Sequence, residues 1–424
     1  MTYAEATVYV QSLGQFGMVL GLERIQQLSQ LAGNPHQDLK FIHVAGTNGK
    51  GSTCAFLESI FRTAGFRTAL YTSPHLVSFT ERIQINRQNI SEEEVIAGVL
   101  RLKPLAETLG SNNQPTFFEF VTLMALCHFA DQKPDIIIWE TGLGGRLDAT
   151  NIVTPLLSVI TNIQLDHENW LGRTLPKIAF EKAGIIKPQI PVLIGPVSED
   201  VHQVIEEVAK INQAPLNVCQ PERLESQVWF RELRLPLIGR FQRYNAALAV
   251  QAVFELNQKY HVEQKHVETG LRNTVWWGRL QIVTTQNGRQ ILLDGAHNPA
   301  GVRSLCEAVR EEFGDQQITV ILGILQDKEW RIMARELAAV AIRIITVSVP
   351  NSRTVPAIQL SEFLQPIFPN CSIVPVGSMA EALAATVDSP LTLVAGSLYL
   401  IGETIAILQG IPAHHELNQW IDRR

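Results

Sequence analysis

The sequence lacks the features that would place the protein in a membrane, outside the cell or on nucleic acid. No apolar stretch reaches the roughly 18 residues of a membrane-spanning helix. No basic segment precedes an apolar run near the start, which predicts no secretory signal. The 35 Lys and Arg against 41 Asp and Glu give a net charge of −6, so a general nucleic-acid surface has no basic excess to draw on. We therefore expect no membrane and no nucleic-acid partner.

Cysteines and charged residues are also scarce. The five cysteines are dispersed without a CxxC pair, which is typical of buried thiols in a reducing cytoplasm and argues against zinc binding. Charged residues make up 18% of the chain, below the ~25% of typical soluble domains, and hydrophobic residues make up 46%. At ~150 residues per domain, the 424 residues predict two or three domains. We expect a cytoplasmic globular enzyme.

Short apolar runs rich in β-formers alternate with helical patterns along the whole chain. The predicted strands are 41–45, 68–71, 135–139, 156–163, 191–194, 290–293, 318–322, 342–349 and 391–394. The run 135–139 is continuously apolar, as expected of a parallel strand covered on both faces. The segment 276–279 follows a helical stretch and precedes a new strand, which indicates a domain boundary there. We expect two α/β domains, at residues 1–279 and 280–424.

The sharpest local signal is the glycine-rich segment 46–52, Gly-Thr-Asn-Gly-Lys-Gly-Ser, between a predicted strand and a predicted helix. Its three glycines would let backbone N–H groups cradle phosphate oxygens at a helix N-terminus. Lys50 would reach the β- and γ-phosphates, and Ser52 would offer its hydroxyl to Mg²⁺. Gly51 separates the two, so the spacing departs from the common GxxxxGKS/T pattern. The segment predicts a nucleoside triphosphate site without separating a GTPase, a kinase and a ligase.

Three further side chains could complete such a site. Glu140 ends the strand 135–139, at the edge where open α/β sheets bind ligands, and is either a hard oxygen donor for Mg²⁺ or the cap of a turn. His167 follows the next predicted strand, as a metal ligand or as an ordinary surface or core histidine. Lys182 falls on the inward, apolar face of a helix predicted between caps at 174 and 184. Such an amine forms a salt bridge, snorkels to solvent, or is carbamylated to a carboxylate-like metal ligand.

A series of six motifs gives the chain a family resemblance. The motifs occur in order at residues 46–52, 71–75, 140–148, 165–167, 181–184 and 293–299. Together they resemble the folylpolyglutamate synthase/dihydrofolate synthase family of the Mur ligase superfamily, from about Gly14 to Gly402. The resemblance implies an α/β chain with a P-loop-type, parallel-sheet ATP-binding domain of the Mur ligase type and then a smaller Rossmann-like ligase domain. The implied reaction is ATP-dependent addition of L-glutamate to dihydropteroate and to folates through an acyl phosphate.

Three other functions stay open. The chain could be a folylpolyglutamate synthase only. It could be another Mur-type amino-acid ligase, although its phosphate loop begins about 45 residues in, which argues against the extra N-terminal domain of most wall-synthesis ligases. It could be a nucleotide-dependent switch, which would not need Glu140, His167 and Lys182 together.

The resemblance also implies roles for individual residues. The implied catalytic residues are Lys50, Lys182, Asp294 and His297. The implied ATP contacts are Gly46, Thr47, Asn48, Gly49, Lys50, Gly51, Ser52, Asn245, Arg279 and Asp294. Two Mg²⁺ ions are implied, one near Ser52, Ser73 and Glu140 and one near His167 and a carbamylated Lys182. The implied contacts to dihydropteroate or a reduced folate are Arg82, Thr116, Phe117, Phe118, Glu119, Leu147, Asp148 and Ala149. We expect a monomer, because no long amphipathic seam is visible.

Overall fold

The structure is a computed structural model that describes residues 1–16, 20–110, 113–285, 288–314 and 316–410. Residues 411–424, part of the predicted second domain, lie outside these ranges. Within the ranges, no helix is both long enough and apolar enough to cross a membrane.

The first sheet and its helices occupy the chain as far as Arg272. The strands are β1 Phe41–Ala45, β2 Thr68–Tyr71, β3 Ile83–Ile85, β4 Gln88–Asn89, β5 Ile136–Glu140, β6 Leu157–Ile160, β7 Val192–Ile194 and β8 Leu216–Val218. The helices are α1 Tyr3–Ser12, α2 Glu23–Leu31, α3 Lys50–Thr63, α4 Glu92–Thr108, α5 Phe117–Gln132, α6 Glu168–Leu171, α7 Leu175–Ala183, α8 Glu199–Ile211, α9 Pro221–Glu225, α10 Val228–Arg231, α11 Arg240–Glu255 and α12 Gln264–Arg272.

Strand β1 lies inside the first sheet, whose order is β4-β3-β2-β5-β1-β6-β7-β8. Its neighbours β5 and β6 run parallel to it, with Val44 opposite Glu140 and Ala45 opposite Ile160. Strands β3 and β4 pair antiparallel at one edge. The carboxyl ends of β1, β5 and β6 therefore lie side by side. From these ends the chain continues toward both edges of the sheet. Open α/β sheets bind ligands at such a point.

Both faces of β1 are covered, which explains why four of its five residues are apolar and why the fifth, His43, is fully buried. Ile42 and Val44 belong to a core formed with α3 and α11, whereas Phe41 belongs to a core formed with α5. Because successive side chains of a strand point to opposite faces, apolar residues are required at consecutive positions. This packing on both faces gives the loop that follows β1 a fixed starting point.

The second sheet follows with its own helices. Its strands are β9 Gln281–Thr284, β10 Gln290–Asp294, β11 Ile318–Leu322, β12 Arg343–Val347, β13 Ser372–Val376 and β14 Leu391–Ala395. Its helices are α13 Pro299–Phe313, α14 Trp330–Ala338, α15 Ala357–Leu364, α16 Met379–Ala385 and α17 Leu398–Gln409. The order is β13-β12-β11-β14-β10-β9, and all pairs are parallel except β9 with β10. A domain boundary at 279/280 falls between the two sheets and stays a proposal.

The expectation of an α/β fold with two mainly parallel sheets is confirmed. All nine predicted strands are present, with ends shifted by a few residues. The pattern of apolar residues did not predict the bounds of five further strands: β3, β4, β8, β9 and β13. These strands are short or partly exposed, so they lack the continuous apolar run that marks a buried parallel strand.

Candidate active site

The glycine loop 46–52 is pressed between two neighbouring elements. Gly46 leaves β1 with φ of +150°, and a Cβ there would lie 1.9 Å from the hydroxyl of Thr161, just beyond β6. Gly49 precedes α3 with φ of +81°, and a Cβ there would lie 2.3 Å from the side-chain oxygen of Asn245 on α11. Both positions therefore require glycine. Asn245, a predicted nucleotide contact, lies directly against the loop.

The segment after β6 holds the polar groups of the loop. The Asn48 N–H donates to Asn162 Oδ1 over 2.9 Å, and the Thr161 hydroxyl donates to the Asn48 carbonyl over 2.6 Å. The Thr47 hydroxyl exchanges hydrogen bonds with the backbone of Gln164. These contacts fix the loop at the N-terminus of α3, where backbone N–H groups and the helix dipole favour an anion such as phosphate.

Two lysines converge on the first carbonyl of the loop. Lys50 Nζ donates to the Gly46 oxygen over 3.0 Å, and Lys182 Nζ on α7 donates to the same oxygen over 2.7 Å. Lys182 is only 4% exposed, as its place on the inward helix face predicts. Burial, reinforced by the charge of Lys50, holds the pKa of Lys182 well below its ordinary range. The neutral amine is therefore favoured at this position.

The predicted first metal group collects oxygen atoms at the ends of β2 and β5. Glu140 is buried, and its Oε2 accepts a hydrogen bond from the backbone N–H of Ser73 over 3.1 Å. Burial raises the pKa of Glu140, while the charge of Lys50 opposes that rise. The hydroxyl of Ser52, in the first turn of α3, is buried without a hydrogen-bond partner. A buried carboxylate and an unsatisfied buried hydroxyl are hard donors that suit Mg²⁺.

Asp166 links the two halves of the chain. Its carboxylate accepts hydrogen bonds from Lys328 Nζ over 2.8 Å and from Asn298 Nδ2 over 3.0 Å, both from the half that contains the second sheet. His297 Nε2 lies 3.9 Å from the same carboxylate. Burial disfavours ionisation of Asp166, yet His297 and Lys328 hold its pKa below its ordinary range. Residue-level reasoning on the sequence missed this cluster of Asp166, Asn298 and Lys328.

His167 and His297 lie on either side of Asp166. His167 has a left-handed backbone, with φ of +51°, and its Nε2 lies 3.9 Å from Asp166 Oδ1. Burial lowers the pKa of His167 to about 3, and the charge of Lys50 lowers the pKa values of both His167 and Lys182. Burial lowers the pKa of His297 to about 4, so its imidazole is neutral near pH 7.

Asp294 ends β10 and anchors the segment that joins the two sheets. Its buried carboxylate accepts hydrogen bonds from the N–H groups of Leu280 and Ala296, each over 2.8 Å. Burial raises the pKa values of Asp294 and Glu140, and the charge of Arg279 lowers both. The charge of Arg279 therefore acts on a carboxylate from each half of the chain.

Thr116 and Glu119, two of the predicted substrate contacts, are hydrogen-bonded to each other. The Thr116 N–H donates to Glu119 Oε2 over 2.7 Å, and the Glu119 N–H donates to the Thr116 hydroxyl, which together form the capping box of α5. Arg24 Nε lies 3.2 Å from the same carboxylate. The guanidinium of Arg82 lies 5.3 Å from the ring centre of Phe117.

Arg82 and Phe118 line the region beside the end of β2. Arg82 is buried, and its Nε donates to Nδ1 of His75 over 2.8 Å. Burial and the charge of Arg82 hold the pKa of His75 well below its ordinary range, so His75 is a neutral acceptor that orients the guanidinium. The Phe118 ring centre is 6.2 Å from that of Tyr71, and the ring packs against Gly142.

Asp148 holds the glycine-rich turn that follows β5. Its Oδ2 accepts from the Leu143 N–H over 2.7 Å, and its Oδ1 accepts from both the N–H and the hydroxyl of Thr150. His43 Nε2 lies 3.0 Å from the same hydroxyl. Because the hydroxyl gives its one proton to the carboxylate, His43 donates from Nε2. The other two predicted substrate contacts of this segment flank Asp148: Leu147 and Ala149.

Comparison with known proteins matches both halves of the chain. The model of the Mur ligase middle domain matches residues 44–253, and that of the Mur ligase glutamate ligase domain matches residues 278–398. Together with the two-sheet fold and the phosphate loop, these matches define a Mur-type, ATP-dependent ligase.

Individual relatives narrow the class. A dihydrofolate synthase/folylpolyglutamate synthase of Bacillus subtilis is 39% identical over 360 residues, 80% of this chain and 83% of the relative. A folylpolyglutamate synthase of Lacticaseibacillus casei is 32% identical and covers 97% of this chain and 99% of the relative. The structure of E. coli FolC in complex with DHPP and ADP is 29% identical, with a TM-score of 0.85 over 97% of this chain and 98% of that chain. The chain belongs to the dihydrofolate synthase/folylpolyglutamate synthase family of Mur ligases.

Proposed function

We propose that this ligase adds L-glutamate both to dihydropteroate and to reduced folates, in each case through an acyl phosphate. The observation that carries the proposal is the convergence of Lys50 and Lys182 on the loop 46–52, with Glu140 beside the end of β1. From the second half of the chain, Asn298 donates a hydrogen bond to Asn48 of the same loop over 3.0 Å. A switch needs a phosphate loop, whereas a ligase also needs groups that hold a second and a third reactant.

The nucleotide phosphates would bind at the loop 46–52. Backbone N–H groups at the start of α3 would bind their oxygens, and Lys50 and Arg279 would neutralise charge. Phosphoryl transfer depends chiefly on such positioning and on neutralising charge. The γ-phosphoryl group would pass to the carboxylate of the pterin-linked substrate, which breaks the bond to ADP and forms the acyl phosphate.

The donors present support the proposal of two Mg²⁺ ions. Ser52, Ser73 and Glu140 would hold the first, and His167 with a carbamylated Lys182 would hold the second. Among the described residues, no group of three or more His, Cys, Asp or Glu side chains could hold a metal ion. Hydroxyl groups, phosphate oxygens and water are therefore required as further ligands. When bound, the ions supply Lewis-acid stabilisation of charge on the transferring phosphoryl group.

The substrate carboxylate would lie near Arg82, whose guanidinium is held by His75. Phe117 and Phe118 offer flat apolar surfaces that suit a pterin ring. The amine of L-glutamate would attack the acyl carbon of the acyl phosphate, form the amide bond, lose a proton and release phosphate. Lys328, His297 and Asp294 come from the half that matches the glutamate ligase domain, which supports glutamate entering from that side.

The test is ATP-dependent phosphate release with L-glutamate, measured separately with 7,8-dihydropteroate and with a reduced folate. Release with both supports the bifunctional proposal. Release with the folate alone makes the chain a folylpolyglutamate synthase only, the alternative that the Lacticaseibacillus casei relative represents. Release with neither overturns the folate substrates. Light scattering on the purified protein tests the proposed monomer.

A further inference from the structure

Gly51 is a glycine for a reason that the phosphate loop does not supply. It lies in the first turn of α3 and its φ is not positive, so its backbone is open to any residue. A Cβ at Gly51 would lie 2.8 Å from Cζ2 and 3.0 Å from Nε1 of Trp276. The glycine therefore makes room for an indole. That indole comes from the segment that leads out of the first half of the chain, three residues before Arg279.

The Trp276 indole also contacts a second residue, Arg87. Arg87, between β3 and β4, has its guanidinium carbon 5.5 Å from the Trp276 ring centre and donates a hydrogen bond to the carbonyl of Val275. Arg87 Nε lies 3.9 Å from Oε2 of Glu58, a fully buried residue of α3. Helix α3 thus contacts the segment 275–276 at two places. One contact is direct, at Gly51, and the other runs through Glu58 and Arg87.

The backbone after Trp276 leads directly into the site. Leu280 donates to Asp294, and the Gly295 N–H donates to the Gly278 carbonyl over 2.9 Å. A Cβ at Gly295 would lie 2.5 Å from Nη1 of Arg279, so that guanidinium has little freedom beside β10. A displacement of Trp276 would therefore displace Arg279 relative to the start of α3.

We propose that Trp276 is a positioning residue for nucleotide binding: its indole, seated on Gly51 and held by Arg87, sets the separation between the N-terminus of α3 and Arg279. The proposal rests on the proposed nucleotide site at 46–52. It assigns Gly51 a steric role toward the protein, where the glycine pattern alone suggests a role toward phosphate.

A double-mutant cycle separates the two roles of Gly51. The variants are Gly51→Ala, Trp276→Leu and the double variant, with ADP affinity by calorimetry, the KM for ATP and the melting temperature as readouts. We expect Gly51→Ala alone to weaken ADP binding at least tenfold, because the methyl group displaces a clamped indole. In the Trp276→Leu background the same methyl group should weaken ADP binding less than twofold. It should also raise the melting temperature, since alanine has a higher helix propensity than glycine.

Controls keep the cycle decisive. Trp277→Leu changes an exposed indole one residue further along, and should leave ADP affinity within twofold of wild type. Trp276→Phe keeps an aromatic ring beside Gly51 but lacks the indole Nε1 and Cζ2 that a Cβ at Gly51 would meet, so it should retain most of the affinity and reduce the loss caused by Gly51→Ala, which covers the case in which Trp276→Leu unfolds. Equal losses from Gly51→Ala in the wild-type and Trp276→Leu (or, if that unfolds, Trp276→Phe) backgrounds overturn the proposal, as does wild-type affinity in Trp276→Leu. A wild-type protein that binds no ADP overturns the proposed function together with the inference.

Discussion

Lys182 and Lys50 donate hydrogen bonds to the same oxygen, the carbonyl of Gly46, over 2.7 and 3.0 Å. Two ammonium groups so close repel each other, and the repulsion is weakly screened because Lys182 is buried. Burial and the charge of Lys50 both lower the pKa of Lys182. The neutral amine is the form that attacks carbon dioxide, which supports the carbamate proposed for the second metal group.

Replacing Lys182 by alanine should reduce glutamate-dependent phosphate release by on the order of 10²-fold or more, because a charge-stabilising group is removed from the site. Added acetate or propionate should restore part of the activity by supplying a free carboxylate. The measurement is the initial rate of phosphate release across a series of carboxylate concentrations.

The matched control for this rescue is Lys177→Ala, which removes an exposed amine from the same helix. It should keep near-wild-type activity and respond to no added carboxylate. Lys182→Ala with wild-type activity would remove Lys182 from the proposed metal site, and a lost activity that no carboxylate restores would argue against the carbamate.

Ser52 provides a second test, directed at the first metal group. Its buried hydroxyl has no protein partner, so removing it should cost little stability but should weaken Mg²⁺ binding. We expect Ser52→Ala to raise the Mg²⁺ concentration for half-maximal activity roughly tenfold, and Ser52→Thr, which keeps the hydroxyl, to restore it. The measurement is a Mg²⁺ titration of phosphate release at saturating ATP.

Ser59 on the same helix is the control for Ser52. Its buried hydroxyl donates to the carbonyl of Gly270 over 2.7 Å, so Ser59→Ala should lower the melting temperature and leave the Mg²⁺ dependence unchanged. The opposite pattern, a lower melting temperature for Ser52→Ala with an unchanged Mg²⁺ dependence, would mean that the Ser52 hydroxyl serves packing only.

The sequence predicted those parts of the site that depend on local pattern. Buried parallel strands carry continuous apolar runs, and their carboxyl ends meet at one edge, so the amino-acid pattern was enough to place Glu140, His167 and the loop 46–52 at or just beyond strand ends. Helical periodicity was enough to predict the inward direction of Lys182.

Contacts between distant segments were not predictable in this way. Asp166 meets Lys328 and Asn298 across more than 130 residues, and no local pattern encodes such a pairing. At 116–119 a local signal did exist: Thr-Phe-Phe-Glu is a capping-box pattern, which explains the positions of Thr116 and Glu119 without a ligand. Gly51 was interpreted as part of the phosphate cradle, because a glycine pattern does not reveal which neighbour needs the space.

His43 predicts a particular dependence of stability on pH. Burial lowers its pKa to about 3, whereas in the unfolded chain a histidine titrates near ~6.5. Between these values the unfolded state binds more protons, so the free energy of unfolding rises with pH and falls on acidification. Below pH 6 this single residue should contribute up to ~1.4 kcal/mol of lost stability per pH unit. Urea unfolding of wild type and His43→Gln at several pH values between 4 and 7 measures the difference in slope.

Glutamine is suitable for this comparison because its amide can donate to the Thr150 hydroxyl in place of Nε2 but does not titrate. His43→Gln should therefore show a shallower loss of stability toward acid, even if it is less stable than wild type at pH 7. Parallel slopes for the two proteins would mean that His43 is not buried in the neutral form.

The Thr150 hydroxyl connects His43 to Asp148 and so to the turn 142–145. Thr150→Val keeps the shape but leaves Asp148 without one of its hydrogen bonds, a loss of ~1–3 kcal/mol for a buried group. The turn supports Phe118 at Gly142, so loosening it should disturb the pterin side of the site and spare the nucleotide side. We expect the KM for dihydropteroate or folate to rise roughly 5- to 100-fold, while the KM for ATP stays within about twofold.

Thr150→Ser keeps the hydroxyl and should stay close to wild type. If both KM values rise together, or only the melting temperature falls, then Asp148 supports the fold and does not shape the substrate pocket.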